Sequence, residues 1–172
     1  MIRPYNILFL CTGNSARSIL GEVLATTLSH GRFIGHSAGS KPNKYVHPMA
    51  LKFAREVDYP LELLRSKSWD EFGREDAPHM DFIITVCDEA AGEECPYWPG
   101  HPTSAHWGFM DPTNEAISEQ AMWDSFRKVE MGLRNRIELF LALPLDKLDH
   151  LQIKDELNSI HHKLMQQDNG TA

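Results

Sequence analysis

Cys11-Thr12-Gly13-Asn14-Ser15-Ala16-Arg17-Ser18 is where this sequence concentrates its chemistry. A thiol and a guanidinium are separated by five small or polar residues. The backbone N–H groups of such a loop can wrap a tetrahedral oxyanion. Arg17 can grip two of its oxygens with a planar fork. Cys11 then stands at the bottom, beside a helix N-terminus and a cation, both of which favour thiolate. The Ser18 hydroxyl is placed to hydrogen-bond that thiolate. Gly13 and Asn14 are residue types that take unusual backbone angles. The competing reading is a cysteine that serves only as a small buried hydrophobe. Cys-x5-Arg alone is a weak pattern, and its strand–loop–helix context is what raises it.

Two further groups of residues have chemical potential. In Trp107-Gly108-Phe109-Met110-Asp111-Pro112 an Asp precedes a proline, which restrains it in an extended turn. Its carboxyl can reach over an oxyanion pocket and protonate a leaving oxygen; alone, Asp-Pro more often reads as a turn or a helix cap. Cys87 and Cys95 are separated by seven small or acidic residues. That loop can bring both sulfurs together, and with Cys11 they can pass oxidation from 11 to 87 and from 87 to 95 by thiol–disulfide exchange. The competing readings are inert buried thiols, or zinc held by Cys87, Cys95, His101 and His106. The spacing does not match the short paired knuckles of common structural zinc sites.

The elements that must position these residues alternate. Strands are expected at Asn6–Leu10, Arg32–Ser37, Asp81–Val86 and Ala105–Trp107. Helices are expected from Ser18 to about His30, from Pro48 to about Val57, and from Glu115 to Leu143, the last continuous or broken. Val129, Leu133, Ile137 and Leu141 give that long helix a packing stripe, and Pro144 ends it. Ser68, with Glu71 three residues on, opens a short helix. The pattern predicts an α/β fold: a single domain with a four-stranded parallel sheet flanked by helices, spanning residues 1–144. Residues 145–172 form an extension, an amphipathic helix through Leu148, Leu151, Ile153, Leu157, Ile160 and Leu164 with a frayed end from Gln166. Ligands of such sheets bind beyond the carboxyl ends of the strands. Cys11 and Cys87 both fall there, on one rim. His36, His47 and His106 are expected to be structural, and the four tryptophans to pack.

Bulk properties narrow the class. The chain has 172 residues and a net charge of −7. The acidity argues against general nucleic-acid binding. No apolar run is long enough for a bilayer, and no secretory signal is evident. Three cysteines, an odd number, suit catalysis or redox chemistry in the cytoplasm better than structural bridging.

Together the three signals resemble the low-molecular-weight protein tyrosine phosphatase superfamily, with a flavodoxin-like sheet. Within it they are most similar to the thiol-cascade arsenate reductases, over about Asn6 to Leu143. Cys11 to Ser18 matches the oxyanion loop, Asp111-Pro112 the acid, and Cys87 and Cys95 the redox pair. His106-Trp107-Gly108 is typical of the reductase branch. The resemblance implies that the Cys11 thiolate attacks arsenate held by loop N–H groups and Arg17, while Asp111 protonates the departing oxygen. Cys87 then attacks Cys11 and releases arsenite, and Cys95 attacks Cys87. Thioredoxin reduces the final disulfide. The Cys87–Cys95 spacing is one residue longer than in the best-known thioredoxin-coupled members, so glutaredoxin with glutathione stands as the alternative reductant. No tightly bound cofactor is implied. A potassium ion beside the loop is, at positions matching Asn14, Glu22, Ser37 and Asp70.

Two alternatives remain from the sequence. A phosphatase would share Cys11, Arg17 and Asp111, but would have no use for Cys87 and Cys95. It would also commonly carry aromatics after Asp-Pro, where Thr113 and Asn114 stand. A non-catalytic oxyanion or arsenite binder would use the three thiols as soft ligands, yet no output module accompanies them.

Overall fold

A computed structural model describes residues 3–88, 98, 101–113 and 118–170, with side chains to residue 167. Tyr5–Cys11 forms β1, Phe33–Gly39 β2, Phe82–Thr85 β3 and Thr103–His106 β4. All pair in parallel, in the order β2-β1-β3-β4. The helices are α1 (Arg17–Leu28), α2 (Pro48–Glu56), α3 (Glu119–Leu141) and α4 (His150–Gly170). This is the expected four-stranded parallel sheet flanked by helices.

β1 is central because it is apolar on both faces, as parallel sheets covered on both sides require. Ile7, Phe9 and Cys11 join α1, α3 and α4 residues in the main core. Leu8 and Leu10 face the other way, into a smaller cluster with Ala38, Trp69, Met80 and Ile83. The chain runs from β1 outward to β2, then crosses back to β3 on the other side of β1. The carboxyl ends of β1 and β3 are therefore the topological switch point, where a crevice opens. Cys11 closes β1, and Cys87 follows β3 by two residues.

Several boundaries differ from expectation. β2 runs on to Gly39, because Gly39 N–H donates to the Lys67 carbonyl at 2.9 Å and the strand end pairs with Ser68. β4 lies at Thr103–His106, earlier than the Ala105–Trp107 expected, its start fixed by the Thr103 N–H bond to Asp81 O at 3.0 Å. α3 is continuous from Glu119 to Leu141, and Glu115 to Ile117 of the expected span lie outside the described residues. Val129, Leu133 and Ile137 of its stripe are buried, and Leu141 is half-buried. The Ser68 side chain caps the short Trp69–Phe72 turn.

The extension is part of the core. Leu145, Ile153, Leu157 and Ile160 are buried in the same cluster as Ile7 and Leu133. Trp107 Nε1 donates to the Leu157 carbonyl at 3.0 Å, tying α4 to the segment after β4. α4 stays helical to Gly170, past the fraying expected from Gln166; Met165, Gln166 and Gln167 are good helix formers, and each added turn extends a helix already nucleated. Among the described residues no helix is long and apolar enough to cross a membrane.

Candidate active site

The loop between β1 and α1 is shaped from outside. The carbonyls of Cys11, Thr12, Gly13 and Ser15 accept from the N–H groups of Ser40, Lys41, Asn43 and His47 at 2.9–3.3 Å. Ser66 Oγ also donates to the Gly13 carbonyl, at 3.1 Å. In a planar trans peptide the N–H points opposite to the C=O, so the loop turns its amide edge inward. Asn14 takes a left-handed φ of 46°, and its N–H donates to Cys11 Sγ at 3.2 Å. Gly39 has to be glycine: a Cβ there would lie 2.4 Å from the Thr12 carbonyl oxygen. No side chain caps the N-terminus of α1, whose first N–H groups suit an anion. The result is a pocket of about 210 Å³ lined by residues 11–17, Asn43, Asp111 and Thr113.

Cys11 is buried and lies 2.9 Å from the Ser18 hydroxyl. Ser18 in turn accepts from Asn14 Nδ2 at 2.8 Å. Burial pushes the Cys11 thiol up, whereas the sequence predicts a thiolate favoured by its surroundings. The bonds from the Ser18 hydroxyl and from the Ser18 and Asn14 N–H groups pull the other way. Desolvation was the opposing cause that the motif could not display.

The acid-bearing segment closes the pocket from above. Backbone bonds from Trp107 N–H to Thr85 O and from Phe109 N–H to Val86 O continue the line of β4 toward it. Arg17 Nη1 donates to the Phe109 carbonyl at 2.9 Å, and its Nη2 lies 3.9 Å from Asp111 Oδ2. Asp111 Oδ1 accepts from the Thr113 N–H and hydroxyl, at 2.9 and 2.6 Å. That arrangement turns Oδ2 toward Arg17 and the loop.

Cys87 is buried beside the loop, its Sγ 3.5 Å from Thr12 Oγ1. Just after it, Asp88 accepts from His106 Nε2 at 2.7 Å, and His106 Nδ1 meets Thr85 Oγ1 at 2.7 Å. Cys95 lies outside the described residues. Of the positions matched to potassium, Asn14, Glu22 and Ser37 are buried, and Asp70 is exposed. Among the described residues no group of three His, Cys, Asp or Glu is arranged to hold a metal.

A profile described as low molecular weight phosphotyrosine protein phosphatase matches residues 6–154. The chain belongs to that family. Its curated relatives include the arsenate reductase of Oceanobacillus iheyensis, 33% identical over 134 residues that cover 78% of this chain and 93% of the relative. The arsenate reductase of Bacillus subtilis is 32% identical over the same shares. A solved arsenate reductase in the phosphate-binding state superposes with a TM-score of 0.63 at 27% identity, covering 80% of this chain and 97% of the other.

Against this family background, several contributing residues were not anticipated. Asn43 faces the loop, its Nδ2 3.2 Å from Ser15 Oγ. Ser66 and Lys67 brace the loop from outside, and the Lys67 N–H donates to Asn14 Oδ1 at 2.9 Å. Long-range packing brings them in, and no local spacing marks them. The expected structural histidines have structural bonds: His36 Nε2 meets Asn6 Oδ1 at 3.0 Å, and His47 caps α2.

Proposed function

We propose that this chain reduces arsenate to arsenite through a covalent Cys11 intermediate and a disulfide cascade. The carrying observation is the pairing of an oxyanion loop with a second buried thiol. Cys11, Arg17 and Asp111 border one pocket, and Cys87 abuts Thr12 of the same loop. Phosphoester hydrolysis needs only the first three.

The loop N–H groups of residues 12–18 and the Arg17 guanidinium hold arsenate. The Cys11 thiolate displaces one arsenic-bound oxygen, which leaves as water after receiving a proton from Asp111. Cys87, as thiolate, attacks Cys11 Sγ. The sulfur–sulfur bond forms as the sulfur–arsenic bond breaks, and that electron pair stays on arsenic, which leaves as arsenite. Cys95 then attacks Cys87 Sγ, freeing Cys11 and leaving a Cys87–Cys95 disulfide. An external dithiol returns it to thiols. Thioredoxin is the first candidate, glutaredoxin with glutathione the second, and the cytoplasm is the compartment that supplies either.

Hydrolysis of a phosphoester at the same pocket is the second reading, because phosphate and arsenate share shape and charge. Arsenate-dependent NADPH oxidation separates the two. One cuvette contains thioredoxin and thioredoxin reductase, the other glutaredoxin, glutathione and glutathione reductase. Turnover in either is the expected result, and it names the electron donor. Silence in both, with brisk cleavage of para-nitrophenyl phosphate, would move the chain to the hydrolytic reading.

A further inference from the structure

Lys67 is a lysine in the wrong place for a surface residue. It is 8% exposed. Its ammonium donates to the Ser37 carbonyl at 2.8 Å, and lies 3.5 Å from Ser37 Oγ and 3.9 Å from Glu22 Oε1. Glu22 is itself buried, and accepts from Ser37 Oγ at 2.6 Å and from the Tyr59 hydroxyl at 3.0 Å. Burial pushes the Glu22 carboxyl up and the Lys67 ammonium down, and their mutual attraction opposes both shifts.

Glu22, Ser37 and Asn14 are three of the positions that the family resemblance matches to potassium. The fourth, Asp70, is exposed on the Trp69–Phe72 turn. The positive charge among the first three belongs to Lys67. A potassium ion would need the same carbonyl and the same carboxylate, and would meet the ammonium as a like charge in a poorly screened interior. Potassium does not fit this arrangement.

The same residue reaches the nucleophile. The Lys67 N–H holds Asn14 Oδ1 at 2.9 Å, Asn14 Nδ2 holds Ser18 Oγ at 2.8 Å, and Ser18 Oγ lies 2.9 Å from Cys11 Sγ. We propose that the Lys67 ammonium is this chain's built-in monovalent cation: it neutralises Glu22 and, by fixing Lys67 against Ser37, positions the backbone N–H that braces the Asn14–Ser18–Cys11 chain, so that the protein takes no potassium there. A covalently attached cation does not dissociate, so the loop stays braced at any potassium concentration.

Thermal melting at constant ionic strength, in potassium chloride against choline chloride, tests this without reference to arsenate. The wild-type protein should melt at the same temperature in both salts. Lys67→Ser should melt lower in choline by on the order of 10 °C, as removing one member of a buried pair implies. Potassium should restore at least half of that loss. Lys67→Arg should stay indifferent to the salt. A potassium-specific rise in the wild-type melting temperature would overturn the proposal, even if the serine variant failed to fold. So would a serine variant whose loss no potassium repairs, which would leave Lys67 a packing residue.

Discussion

Arg17 donates a hydrogen bond to the Phe109 carbonyl at 2.9 Å. The cation that suits an oxyanion thus also ties the loop to the segment that bears Asp111, across ninety-two positions of chain. The Phe109 ring in turn packs against the Arg136 guanidinium, 4.8 Å from its centroid. α3 therefore supports the acid segment, and the acid segment supports the loop. A general acid is effective only within reach of the oxygen it protonates, and this chain of contacts sets that reach.

Asp111→Asn tests the acid role. The amide retains an oxygen for the Thr113 N–H and hydroxyl, so thermal stability should barely change. Formation of the Cys11 adduct, followed by rapid quench, should slow by about 10²–10⁴-fold. A loss below about tenfold would make Asp111 a turn residue.

Ser18→Ala should shift the pH midpoint of Cys11 alkylation upward. The hydroxyl at 2.9 Å is the strongest of the hydrogen bonds that pull the buried thiol down, and losing it leaves burial less opposed. The measurement belongs in a background with Cys87 and Cys95 replaced by serine, so that one thiol reports. An unchanged midpoint would assign thiolate stabilisation to the backbone donors and Arg17.

Cys11, Arg17 and Ser18 were legible in the sequence because they lie within eight residues on one strand–loop–helix unit, where local geometry dictates mutual position. The sheet was legible because β1 and β3 are apolar runs that admit only a two-sided burial. Lys67 and Asn43 were not. Both reach the loop from the long β2-to-β3 connection, one on either side of α2, and sequence spacing has no bearing on contacts made by tertiary packing. The rise in the Cys11 thiol was invisible for a related reason, since a motif displays its charges and donors but not how deeply it will be buried.

Cys95→Ser separates the reducing cascade from its first half. The variant should complete about one turnover and stop as a Cys11–Cys87 disulfide, because no internal thiol remains to attack Cys87. Mass spectrometry of the alkylated, non-reduced protein identifies that bond. Sustained turnover with thioredoxin would show that Cys95 is not the resolving thiol.

Leu157→Ala should destabilise the whole protein by about 2–5 kcal/mol, the range for a buried leucine truncated to alanine. Leu157 is fully buried in the main core, and its carbonyl accepts from Trp107. Urea unfolding should still show one transition, detected alike by tryptophan fluorescence and circular dichroism. Two transitions, with only the first moved, would make α4 a separately melting appendage.

His161 should make stability depend on pH. Its imidazole accepts from Arg136 Nε at 3.0 Å, so the bond requires the neutral ring. Burial, then the charges of Arg136 and His106, hold its pKa down at about 4, with Asp88 opposing and His162 adding slightly. In an unfolded chain the value is about 6.5. Between those values the unfolded state binds the extra proton, so stability rises with pH. The contribution is complete above about pH 6.5 and is lost as pH falls toward about 4. His161→Gln keeps an acceptor for Arg136 and removes the titration. Melting temperatures from pH 4.5 to 7.5 should therefore slope less in the variant than in the wild type. An equal slope would transfer the effect to His36, which burial also holds at about 4.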